Sequence, residues 1–483
     1  MRTIVIFILL LLEISITYSQ TIKFQKVYGG GGADWGKYVE QTPDGGYIIT
    51  GYSDSFGGGD RGYTIKTDSI GDTLWTKVYG ILAGGNIDVY LVSGQQTVDG
   101  GFAFFGTSFK PPATDYNICL IKTNSNGDTL WTKNYGDTND ELAASGKQTN
   151  DGGYIIAGST SSFGGDVYLI KTNSNGDTTW ARTYGGTLAD QGNTVQQTTD
   201  GGYIIIGTTN SFGAGDQDVY LIKTDANGDT LWTKTYGGIY EENGNSGQQT
   251  ADGGYIITGR TKSFGMASSN VYLIKTNSIG DTLWTKSISG VNTAGAIGNS
   301  IRQITDNGYI ITGLHSPNTS PFYNDAYLVK TNSNGDTLWT KAFGGAQDEE
   351  GFCVQQTSDK GYVLVGSTDS YGPSLTNVYL VKTDSMGNTN TYDGIIEQQH
   401  KKFQIKIYPN PFTTQAHLNL PEEINLSGQP ELIIYDLYGN EVSRWAVSSR
   451  KATIEKGNLN AGMYFCNIVV SNMVIATGKF IIQ

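Results

Sequence analysis

One pattern recurs seven times between residue 21 and about residue 390 of this 483-residue chain. Its plainest copy runs Gln196-Gln197-Thr198-Thr199-Asp200-Gly201-Gly202-Tyr203-Ile204-Ile205-Ile206-Gly207, then Val219-Tyr220-Leu221-Ile222-Lys223-Thr224. It closes with Asn227-Gly228-Asp229-Thr230-Leu231-Trp232-Thr233-Lys234. The turn aspartates Asp44, Asp99, Asp151, Asp200, Asp252, Asp306 and Asp359 stand 55, 52, 49, 52, 54 and 53 residues apart. So long a period, built from short strands, indicates a propeller or solenoid rather than separate domains.

Each copy holds four short β-rich runs divided by turn residues. Asp-Gly after the first run and Asn-Gly or Ile-Gly after the third suit tight hairpins, because glycine accepts positive φ without steric cost. The middle runs are apolar at consecutive positions, as expected of strands covered on both faces. Radially packed four-stranded sheets meet that condition for every copy. The Gly, Thr and β-branched content, with no 3.6-residue period, excludes a helical solenoid. The seventh copy lacks its fourth run: Asn388-Thr389-Asn390-Thr391 stands where Thr-Leu-Trp-Thr is expected. The missing run lies at the opposite end of the chain, at Ile22–Gly30, with Phe24 in the place of Trp75, Trp131, Trp180, Trp232, Trp284 and Trp339. The prediction is an all-β fold, a seven-bladed β-propeller closed by an N-terminal strand. The repeated Trp is read as a residue that packs one blade on the next.

Composition narrows the function. A formal charge of −13 and a pI near 4.7 argue against nucleic acid as a partner. Three distant cysteines (Cys119, Cys353, Cys466) exclude a disulfide scaffold, and three histidines leave little material for His chemistry. No Gly-x-Ser-x-Gly elbow in a strand-to-helix context, no His-Glu-x-x-His and no phosphate loop occurs, so catalysis is not expected. The N-terminus, with Arg2, an apolar run from Ile4 to Leu12, and Thr17 and Ser19, reads as a secretory signal over residues 1–19. No later stretch is long and apolar enough to span a membrane.

In up-and-down blades, the first and third turns share one end, and the second loop and the inter-blade connections share the other. The first end is uniform; the second carries variable loops, and recognition is expected there. Ten residues before each turn aspartate stand Asp34, Glu141, Asp190, Glu242 and Glu349, with Val89 and Ala296 breaking the column. Two readings stay open. The acids form a ring that binds Ca²⁺ or a polyhydroxylated ligand, or each caps its own turn through local N–H groups. Trp35, Tyr240, Phe322 and Tyr323 are aromatic candidates for stacking on sugar rings. The turn Asp225–Asp229 only superficially resembles a calcium loop, and a bulged hairpin accounts for it.

Beyond the propeller (20–390) and a polar linker (391–402), a different pattern begins at Phe403. Its elements are Tyr408-Pro409-Asn410-Pro411-Phe412, Ile434-Tyr435-Asp436-Leu437-Tyr438-Gly439, Leu459-Asn460-Ala461-Gly462-Met463-Tyr464 and a terminal Gly478-Lys479-Phe480. Short strands over this length predict a small Ig-like β-sandwich at 403–483. These four elements closely resemble the type A C-terminal sorting domain of the type IX (Por) secretion system. The resemblance implies export through that machinery, then release or attachment at the cell surface. The whole reads as a secreted or surface-displayed, non-catalytic binding or adhesion propeller for a glycan or surface protein. A carbohydrate-active enzyme with acids from different blades, or a structural surface-layer component, are the alternatives.

Overall fold

The computed structural model describes residues 22–56, 59–80, 87–109, 115–161, 165–265, 268–289, 293–318, 323–390, 396–398, 403–420, 430–436, 441–447, 449–457, 459–470 and 473–483. The expected signal segment lies outside them. Every regular element among the described residues is a strand. The chain divides into two units, Met1–Glu397 and Gln398–Gln483.

The first unit contains seven antiparallel sheets, numbered here in the order of their first strands. Sheet four shows the plan: Asp190–Gln197, Tyr203–Thr209, Asp218–Thr224 and Thr230–Tyr236 pair in succession. The first strands of neighbouring sheets touch all the way round, the seventh (Glu349–Gln356) meeting the first (Asp34–Gln41). The seven sheets therefore form a closed β-propeller-like ring with their first strands innermost. The closing strand is the expected one. Phe24–Gly29 pairs antiparallel with Asn377–Thr383, and Phe24 opposes Lys382 as Trp75 opposes Lys66. Within the stretch expected as linker, Ile396–Gln398 adds a short strand beyond Phe24–Gly29.

The middle strands are buried on both faces because each sheet is sandwiched between two others. Ile205, Ile222 and Tyr220 of sheet four pack with Ile155, Val167 and Leu169 of sheet three in one apolar cluster. Each first turn is built alike. In sheet one, Gly45 N–H bonds the Thr42 carbonyl, and the Asp44 carboxylate accepts from Thr42 Oγ1, Gly46 N–H and the buried Lys66 ammonium. The glycine slot has φ near +80°, but Asn307 (φ 64°) and Lys360 (φ 65°) occupy it in sheets six and seven. The outer Trp covers the glycine of the next sheet's third turn: a Cβ on Gly280 would stand 2.8 Å from Trp232. Beside it, Tyr236 OH donates to the Gly280 carbonyl, and Lys234 pairs with Asp281 at 2.9 Å. This is the inter-sheet packing role expected of the Trp.

A second sequence pair clasps the ring at its inner edge. The final Gln of a first strand accepts the N–H of a residue in the preceding sheet's first turn, as Gln148 does from Val98 and Gln197 from Asn150. Sheet one has Pro43 at that turn position, with no N–H to give, and Gln96 Oε1 is left buried without a partner.

The second unit is a small β-domain. One sheet joins Phe403–Gln404, Met473–Ile482, Gly462–Val470, Glu431–Tyr435 and Glu441–Ala446; another joins Lys406–Tyr408, Gln415–Asn419 and Lys451–Glu455. Leu418 and Ile454 from one sheet and Leu432, Ile434, Cys466 and Phe480 from the other share a core.

Candidate functional site

The acid column is present and faces inward. Asp34, Glu141, Asp190, Glu242 and Glu349 are all buried. Each bonds the backbone N–H four residues earlier: Gly30, Asp137, Gly186, Gly238 and Gly345. Their other contacts reach their own sheet's second loop. Glu242 accepts from Thr261 Oγ1, Lys262 N–H and Ser263 N–H, and Glu349 accepts from Thr368 Oγ1 and Ser370 N–H. Burial raises the Asp34 and Glu141 carboxyls above their usual range, against the pull of these bonds. Among the described residues no group of three or more His, Cys, Asp or Glu is placed to hold a metal ion. The arrangement is that of a capped loop repeated five times, with the oxygen lone pairs spent on the protein.

The aromatic candidates are dispersed. Trp35 stacks on Tyr52 at 4.8 Å, Tyr240 and Tyr323 are exposed, and Phe322 lies outside the described residues. The turn Asp225–Asp229 is a bulged hairpin in which Asp225 Oδ1 accepts the N–H groups of Asn227 and Asp229.

A cavity of about 550 Å³ on the ring axis is lined by residues from the first strands of all seven sheets. It arises from a shared irregularity: every first strand carries a β-bulge after its third or fourth residue or, in the longer sixth strand, further along. The extra residue re-aims a side chain toward the axis. The residues so placed are Lys37, Val92, Ala144, Asn193, Asn245, Asn299 and Phe352, and in five of the seven sheets the residue three positions further along the strand also lines the cavity. That further tier includes Lys147, Gln196, Gln248, Arg302 and Gln355, and the lining reaches the turn residue Asn150. The cavity thus extends toward the uniform Asp-Gly turns, away from the variable loops expected to carry recognition.

Its electrostatics run against the rest of the chain. The lining contains Lys37, Lys147 and Arg302 and no carboxylate. Lys37 Nζ sits 3.5 Å from the Phe352 ring centroid; burial lowers its pKa to about 8, with Glu350 opposing. Lys147 lies over the Tyr38 ring and 3.6 Å from Glu40. Burial lowers the Lys147 pKa, but Tyr38 and Glu40 outweigh it and leave the ammonium raised. Arg302 forms no ion pair among the described residues, and its Nη1 donates to the Ile301 carbonyl. These residues escaped the sequence reading. The signal was the polarity of several first runs (Asp-Gln-Gly-Asn-Thr-Val-Gln-Gln in sheet four) beside the far more apolar second and third runs.

Comparison with known proteins bears on the second unit. Residues 406–483 match the family model of the secretion system C-terminal sorting domain. Those residues are a type IX sorting domain. It marks this chain as cargo of that secretion machinery, which delivers proteins to the cell surface or beyond. No curated protein sequence matches the chain. Among solved structures, PorZ, an essential bacterial surface component of the type IX secretion system of Porphyromonas gingivalis, is similar at 10% identity and a TM-score of 0.43. The match covers 94% of this chain and 60% of that one. The Neurospora crassa Pan2 WD40 domain matches at 9% identity and a TM-score of 0.43, over 74% of this chain and 97% of its own. The β-propeller domain of the trilobed protease from Pyrococcus furiosus matches at 10% identity and a TM-score of 0.41, over 77% and 98%.

Proposed function

We propose that this chain is a seven-bladed propeller, exported by type IX secretion, that binds a ligand without transforming it. The observation that carries the reading is the axial cavity, whose size falls in the range of small-ligand sites and whose wall is drawn from all seven sheets. Its lining is amide, hydroxyl and cationic, which suits a polar ligand held by many modest hydrogen bonds. The acids that an enzyme reading would use, Asp190 and Glu349, are each occupied by their own loops. Ligand capture at the bacterial surface would then be the role of the propeller, and delivery that of residues 406–483.

The test is a glycan array with the full chain, coupled to a hydrolysis assay on every glycan retained. Saturable binding without product supports the proposal. Product release replaces it with a carbohydrate-active enzyme, and the absence of both leaves a structural surface component.

A further inference from the structure

The polar groups of the axial cavity stand in two tiers, with Lys37 the cation of the bulge tier and Lys147 and Arg302 those of the tier nearer the turns. In the bulge tier, Asn193 Nδ2 donates to the Gly244 carbonyl at 2.8 Å and Asn245 Nδ2 to the Gly298 carbonyl at 3.0 Å. Both amides are thereby fixed, leaving their Oδ1 atoms as acceptors for groups in the cavity. In the tier nearer the turns Gln248 Nε2 donates to the Gln249 carbonyl at 3.5 Å, while two other amides are held the opposite way. Gln196 Oε1 accepts the Gln249 N–H and Gln355 Oε1 accepts the Gln41 N–H, so their Nε2 groups remain as donors. Lys147 and Arg302 stand in that same tier, from sheets three and six. Both line this one cavity, as does Cys353 of the seventh sheet. Lys147 has Glu40 at 3.6 Å, whereas Arg302 has no ion-pair partner among the described residues, so an anion entering the cavity gains most at the guanidinium.

We propose that the cavity binds an acidic carbohydrate: its carboxylate lies between Arg302 and Lys147, and its hydroxyls donate to Asn193 and Asn245. The inference rests on the binding reading above and narrows it to a ligand class. A guanidinium presents a planar fork that matches a carboxylate, and an ammonium adds a point charge. The Gln196 and Gln355 amides add donors in the same tier, whereas the fixed Asn193 and Asn245 oxygens accept hydroxyl protons. A ligand that satisfies both tiers carries acid at one end and hydroxyls at the other, as a uronic acid does.

The experiment is calorimetric titration of the full chain with glucuronate and galacturonate oligomers, their neutral hexose counterparts, sulfate, and a poly-glutamate peptide. Uronates are expected to bind at least tenfold more tightly than the neutral sugars, with affinity falling as salt rises. Arg302→Gln should weaken uronate binding by tenfold or more with Tm unchanged, and Lys147→Met should do so to a smaller degree. Tyr240→Ala, on the opposite loop end, should change nothing. Equal affinity for neutral and acidic sugars, or insensitivity to Arg302→Gln, overturns the proposal while the binding reading stands. Sulfate binding as tight as uronate reduces the site to a simple anion hole and also overturns it, as does peptide binding in place of sugar. Failure of every ligand here and on the array removes both readings together.

Discussion

Replacing Glu242 by Gln separates a capping acid from a ligand-binding acid, because the two roles predict opposite outcomes. Glu242 is fully buried, and its two oxygens accept four hydrogen bonds: Oε2 from Gly238 N–H at 2.6 Å, Oε1 from Thr261 Oγ1, Lys262 N–H and Ser263 N–H at 2.7, 3.2 and 2.9 Å. A glutamine of the same shape can keep its oxygen toward three of these donors. Its NH₂ must then face the Gly238 N–H, donor against donor. The charge-assisted bonds weaken to neutral ones, and a buried N–H loses its partner, which together cost about 2–4 kcal/mol. In a body of this size each kcal/mol moves Tm by no more than about 2 °C, so a fall of roughly 3–8 °C is expected. Urea unfolding should show the matching drop in midpoint with an unchanged slope. The neighbouring Glu241, partly exposed and paired with Arg260 and Lys262, is the control; Glu241→Gln should cost less than about 1 kcal/mol. The capping argument fails if Glu242→Gln leaves both Tm and the urea midpoint at wild-type values, and more sharply if ligand affinity is lost at the same time.

Further outcomes follow from the same contacts. Deleting residues 22–29 removes the strand paired with Asn377–Thr383 and exposes Leu380 and Val378, which share a cluster with Tyr28; the chain should become protease-sensitive, while Tyr28→Phe, which loses the bond to the Gly71 carbonyl, should cost about 1 kcal/mol. Gln148→Leu should destabilise by about 1 kcal/mol more than Gln96→Leu in urea titrations, because Gln148 accepts the Val98 N–H whereas Gln96 Oε1 has nothing to lose. Acid should act late. At the first turns burial pushes the aspartates up, but bonds from Lys and Thr outweigh it and hold them below the usual range, Asp151 at about 2. Their stabilisation is complete above the unfolded value near 3.9 and is lost as pH falls through the folded one. The buried Asp34 and Glu141, shifted upward, act in the opposite sense at higher pH, so Tm should hold or rise slightly from pH 7 to 5 and drop below about pH 4; a steady decline from pH 7 would contradict this. Removing residues 403–483 should leave the propeller inside the outer membrane, read by cell fractionation, with its thermal melt little changed.

Much of this architecture was legible along the chain because its determinants are local and repeated. The spacing of the turn aspartates, the glycine beside five of the seven, and consecutive apolar positions in runs two and three specify hairpins buried on both faces. The closing strand was legible for the same reason: Phe24 occupies the register of the absent Trp, and a run without its sheet and a sheet without its run must meet. The four ordered elements between Tyr408 and Phe480 named the sorting domain, since they lie within one short segment. What the one-dimensional pattern left undecided was direction. Asp34 and its counterparts appear as a column in either reading, and only folding turns each into its own loop, where the N–H four residues back and the hydroxyl of the second strand consume its oxygens. The axial cavity was hidden more deeply. Its walls come from seven strands spread over about 320 residues, and Arg302 and Lys147 line one cavity only because ring closure brings sheets three and six round one axis. A β-bulge, invisible to a strict alternation of inward and outward side chains, decides which residue of each strand looks inward. Local hydrogen bonding writes itself into sequence; convergence on a common axis is a property of the closed ring.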